Sequence, residues 1–88
     1  MYQYYIIEIT RNQQGAYAHN VYWVYDANQD TARLKGEAKW HELLAAAAVS
    51  THLTHSVTLL SDEGVTLLQK VYKHPYIETP EPEQEEAE

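Results

Sequence analysis

One stretch constrains the fold more than any other. From Ala32 to Val49 the chain has no proline and is dominated by alanine, leucine, lysine and glutamate. All four are strong helix formers. Asp30 stands just ahead, where its carboxylate can accept from the free N–H groups of a first turn. These features predict a helix over 30–50, the one convincing helix in the sequence. At about 100° per residue, Lys35, Lys39, Glu42 and Ala46 share a side, expected to face solvent. Leu34, Ala38, Leu44, Ala45, Ala48 and Val49 spread over much of the rest, the expected apolar arc. Gly36 costs about 1 kcal/mol relative to alanine in a helix interior, which a close backbone approach would explain. The small side chains from Ala45 to Ala48 let a sheet or a partner helix lie near the helix axis.

The segments on either side read as strands. Over 2–11, Tyr5, Ile7 and Ile9 alternate with Tyr2, Tyr4 and Ile6, so both faces begin apolar and a central strand is expected. Residues 12–15 end in Gly15, where a left-handed residue closes a four-residue hairpin loop. Over 16–25, Tyr17, His19, Val21, Trp23 and Tyr25 take one face, and Ala18, Tyr22 and Val24 the other. After the helix, 54–60 and 65–73 form a second hairpin around a loop ending in Gly64, and Pro75 prevents further pairing. The order is β-β-α-β-β. The expected fold is α+β, a four-stranded, mostly antiparallel sheet with the helix packed on one face. Residues 1–75 form the domain. Residues 76–88, with Pro80, Pro82 and six glutamates, are expected to be a disordered acidic tail.

Composition narrows the function. The chain has 88 residues, enough for one domain with a marginal core, so self-association as a homodimer or larger is expected. With no cysteine there is no thiolate metal site, disulfide or cysteine nucleophile. No run approaches the ~18 apolar residues of a membrane span, and 1–4 lack the order of a signal peptide. Membrane association is not expected, and cytoplasmic residence is. The net charge of −7 belongs to the tail, because residues 1–77 carry six basic against seven acidic groups. A nucleic-acid polymer needs clustered lysine and arginine, which are absent. Eight tyrosines and two tryptophans suit either amphipathic sheet faces or an interface.

The run A-K-W-H-E-L-L-A-A-A-A-V-S over 38–50, followed by H-S-V-T-L-L over 55–60 and by Gly64, resembles a group of small proteins encoded in bacterial prophages. The resemblance extends from the first strand to His74 and leaves the acidic tail outside. The group has no assigned activity, so what the resemblance implies is a phage setting within an infected bacterial host. Small phage proteins of this size are often inhibitors of host defence, some of which sequester nucleotide signals, or accessories of the virion.

Catalytic motifs are incomplete, and no catalytic residue, metal site or cofactor is assigned. His41-Glu42 lacks the second histidine of a zinc-protease helix, since position 45 is alanine. His52 and His55 have a metal-like spacing without a third ligand. Glu37 and His41 are spaced for acid–base work, but no serine sits in an elbow motif and no glycine loop cradles phosphate. A binding role remains. Arg33, Glu37 and His41 repeat at i, i+4 and i+8 and form one line inside the expected apolar arc, with Trp40 beside them. One reading makes the line a solvated, salt-bridged edge and Trp40 a core anchor. The other makes these four residues the ligand site, with guanidinium on phosphate, indole or imidazole on a base, and carboxylate on a ribose hydroxyl or an amino group. Two function classes follow: a non-enzymatic counter-defence binder of a nucleotide-like signal or a host defence protein, or a structural accessory of the phage particle.

Overall fold

The computed structural model describes residues 1–77; the expected acidic tail from residue 78 onward lies outside the described residues. Five elements follow in the expected order: β1 (Tyr2–Arg11), β2 (Tyr17–Asp26), α1 (Gln29–Ala48), β3 (Thr54–Ser61) and β4 (Thr66–Lys73). The strands form one antiparallel sheet in the order β2-β1-β3-β4. The twice-apolar β1 is therefore central, as its sequence predicts. Each hairpin closes on a left-handed glycine, Gly15 at φ 89° and Gly64 at φ 84°.

The helix begins earlier than expected. Asn28, not Asp30, is the N-cap, and its Oδ1 accepts from Thr31 N at 2.9 Å. The chain is turned into this cap by Asp26, whose Oδ1 accepts from Asn28 N. Asp30 falls inside the first turn, where a negative charge complements the helix dipole.

The helix face is also corrected. Ala32, Gly36, Trp40, Leu43 and Ala47 are buried against the sheet, whereas Leu34 is 65% and Val49 83% exposed. The expected apolar arc was centred too far round the helix. Four of the five buried positions are alanine, glycine or an indole at regular spacing, a pattern that hydropathy weighs lightly. The small residues matter because they let α1 lie close. A Cβ added at Gly36 would stand 3.1 Å from Leu59 Cδ1 and 3.3 Å from Tyr4 Cβ. Under the helix lie Tyr4, Ile6, Val57 and Leu59 from the two central strands. Ile6, Val57 and Leu59 are fully enclosed, each stabilising the fold by about 1.5–3 kcal/mol.

Candidate functional site

The four residues singled out on the helix do not share one environment. Arg33 Nε donates to Glu37 Oε2 at 2.9 Å, and both side chains are part-exposed. His41 is exposed and meets Trp40 edge-on, with ring centroids 5.0 Å apart. Trp40 is only 8% exposed, and its Nε1 donates to the Val57 carbonyl at 3.0 Å. The indole is committed to the core and has no face free to stack on a base. Arg33, Glu37 and His41 remain a polar line on the surface, where the exposed His41 imidazole is left as the ring in place of the indole.

A second cluster is one that sequence reading did not assemble. Glu8 and His55 are both buried, at 8% and 4% exposure. His55 Nε2 lies 2.6 Å from Glu8 Oε2, and its Nδ1 lies 3.0 Å from Ser50 Oγ. Asn20 Nδ2 donates to the other Glu8 oxygen at 3.3 Å. His52 packs edge-on against His55, and its Nδ1 is buried without a partner. The signal for this cluster was alternation. Glu8 continues the inward face of Tyr4 and Ile6, and His55 that of Val57 and Leu59. Period-two reading places both inside, and antiparallel pairing of Glu8 with Val57 and Thr10 with His55 makes them diagonal neighbours.

Serine, histidine and carboxylate in this order have the connectivity of an acyl-transfer relay. Its surroundings suit a structural bond better. Ser50 follows the C-terminus of α1, where the Ala46 and Ala47 carbonyls accept from Val49 N and Ser50 N. Carbonyls present the wrong end of the dipole to an oxyanion. The cluster ties the helix end to β1 and β3. Among the described residues, no group of three histidines or carboxylates is placed to hold a metal ion.

The third candidate is the sheet face opposite α1. On β2 it presents Tyr17 (69% exposed), Val21 (46%), Trp23 (60%) and Tyr25 (53%). Register places Tyr5 opposite Trp23, Ile7 opposite Val21 and Ile9 opposite His19. One end of this face carries a cross-sheet row: Arg11 stands opposite Tyr17 on one side and Thr54 on the other, and Thr54 stands opposite Lys73. The Arg11 guanidinium lies 5.4 Å from the Tyr17 ring centre. By register and alternation, no carboxylate of the described strands falls on this face; Glu8 and Asp26 lie on the helix side. The result is a broad aromatic and aliphatic surface with cations at one end.

Against known proteins the chain matches no family model, no curated protein and no solved structure. Function must therefore be read from the geometry.

Proposed function

We propose that this chain is a non-enzymatic binding protein of the phage type that acts in counter-defence as a homo-oligomer. It holds a nucleotide-like signal or a host defence protein on its open sheet face. The observation that carries this reading is the exposure of Trp23, Tyr17, Tyr25 and Val21 on a face that no element among the described residues covers. Contiguous apolar surface of this kind marks interaction sites. With the Trp40 indole buried, the sheet face offers more exposed aromatic rings than the helix line does, and the proposed site is placed there. The row of Tyr17, Arg11 and Lys73 supplies what an anionic, ring-containing ligand needs: a guanidinium and an ammonium for phosphate, with an aromatic ring alongside.

The test is a screen of cyclic and linear nucleotides by thermal shift and calorimetry. A nucleotide should raise the melting temperature of the native protein. Arg11→Ala should abolish that rise, and Arg33→Ala should retain it. If Arg33→Ala alone loses binding, the site is the helix line after all. If no nucleotide binds, the signal-sequestering form of the proposal fails. Recovery of the protein from purified particles would then favour a virion accessory.

A further inference from the structure

The two edges of the sheet are not alike. β4 is an eight-residue edge carrying Lys70 and Lys73, with a register shift opposite Leu59/Leu60 and Pro75 just beyond its end. Lysine, irregularity and proline are the usual devices that keep an edge from pairing. β2 has none of them. It is ten residues long, regular along its whole pairing with β1, and free of proline, glycine and lysine.

The hydrogen-bond phase of β2 follows from its hairpin. Asn12 N donates to the Ala16 carbonyl, and Leu53 N donates to the Arg11 carbonyl. Even-numbered residues of β1 therefore bond to β2 and odd-numbered ones to β3. On β2 the even residues face β1, and the amides of Tyr17, His19, Val21, Trp23 and Tyr25 point outward. Of these outward groups, the Tyr25 carbonyl takes a bond from Lys35 Nζ at 3.3 Å. The others have no protein partner among the described residues.

We infer that β2 is a self-pairing edge: the β2 strands of two copies join antiparallel about a twofold axis at Val21, making one eight-stranded sheet. The occupant is a second copy because the strand is complementary to itself in both properties that pairing demands. With Val21 on the axis, Trp23 stands opposite His19 of the partner subunit and Tyr25 opposite Tyr17 of the partner subunit. All five outward-pointing residues then exchange bonds, the Tyr25 carbonyl accepting both from the partner strand and from Lys35 Nζ. The same register keeps every open-face side chain on one side, so aromatic pairs form across the junction and no like charges meet on that face; on the helix side each Lys39 that flanks the junction is paired with its own Glu42. On the helix side the edge is flanked by an apolar groove of about 300 Å³ lined by Val21, Tyr22, Trp23, Val24 and Lys39, which leaves room for side chains from the partner. The inference deepens the homo-oligomer reading by naming the contact. It also enlarges the proposed binding face, since two open faces become one continuous surface.

Because the chain has no cysteine, single cysteines can report the contact directly. The native protein should sediment as a dimer or a larger even-numbered assembly at tens of micromolar. Val21→Cys places two thiols across the axis, with Cα atoms about 5.5 Å apart in a hydrogen-bonded pair, a separation that a short bis-maleimide spans and a disulfide meets only with strain. That crosslinker should convert nearly all of it to a covalent dimer. Thr58→Cys, at the centre of the open face, and Ala45→Cys, on the outer side of α1, should stay uncrosslinked. Val21→Pro removes one outward N–H and no bond to β1, so it should give a monomer with an unchanged circular dichroism spectrum. A native monomer would overturn both the homo-oligomer reading and this contact. A dimer that links through position 58 or 45 and not 21 would overturn the contact alone. The cysteine series decides the matter even if the proline variant fails to fold.

Discussion

Gly36 shows how a single hydrogen atom sets the distance between helix and sheet. Alanine there would gain about 1 kcal/mol of helix propensity. Its methyl would press on Tyr4 Cβ at 3.3 Å, an atom next to the backbone of a central strand that cannot swing aside. Overpacking of this kind costs about 1–3 kcal/mol. Gly36→Ala should therefore be neutral to destabilising, by up to about 2 kcal/mol, in denaturant titration. A clear stabilisation would mean that α1 stands off the sheet. The Glu8–His55 pair gives a second expectation at this scale. Glu8→Ala leaves the buried His55 Nε2 without its partner, and the exposed Asn20 Nδ2 without its acceptor. About 1–3 kcal/mol should be lost for the partners left unbonded. Arg33→Ala, which breaks only a part-exposed i,i+4 pair, should change stability by less than about 0.5 kcal/mol.

At the scale of elements, the link from β2 to α1 contains an acid-sensitive joint. The Asn28 backbone N–H, and then the Lys35 ammonium, hold the Asp26 carboxyl below its ordinary value of 3.8. A carboxyl with a depressed folded-state pKa contributes stability that is present above its unfolded value and lost as pH falls through the folded one. Native protein should accordingly lose stability on acidification below about pH 4 by a component that Asp26→Asn lacks. Thermal melts of both proteins across that range would show it as curves that converge in acid. Asn28→Ala removes the cap itself and should cost about 1 kcal/mol at neutral pH, measured by the same melts. The alternation of Tyr17 to Tyr25 belongs to this scale too. It is legible in sequence as one face of a strand. Which face meets the helix follows only from Tyr22 and Val24 packing on the core.

For the whole molecule, the question is how much chain the fold needs. Gln13, in the loop between β1 and β2, reaches 64 residues along the chain to accept from Ile77 N at 2.8 Å and donates to the Thr51 carbonyl at 2.6 Å. Residues 75–77 are thus tied to the domain, past the boundary at 75 that composition predicts. The acidic segment from residue 78 onward, expected from its composition to be a tail, lies outside the described residues. Cutting the chain after Ile77 should leave the melting temperature within about 1–2 °C of the native value, whereas cutting after Lys73 should lower it measurably. A large drop for the longer fragment would show that the acidic segment packs on the domain. Among the described residues no helix is long and apolar enough to cross a membrane.

The sequence by itself determined the element order, both glycine-closed hairpins, the central place of β1 and the two faces of β2. These depend on local backbone preference and on period-two alternation, which neighbouring residues express without help. Only the tertiary structure decided the rest. The helix buries its alanine–glycine–tryptophan side and not its leucine–valine flank, because closeness to the sheet rewards small residues that carry little hydropathy. Trp40 became a core anchor because the Val57 carbonyl lay within reach of its indole N–H. Glu8 and His55 met because antiparallel register joins positions 47 residues apart, a distance that no local pattern encodes, and Ser50 joins them from the connection between α1 and β3. The edge position of β2 follows from the order of strands in the sheet, a choice made between elements after each has formed.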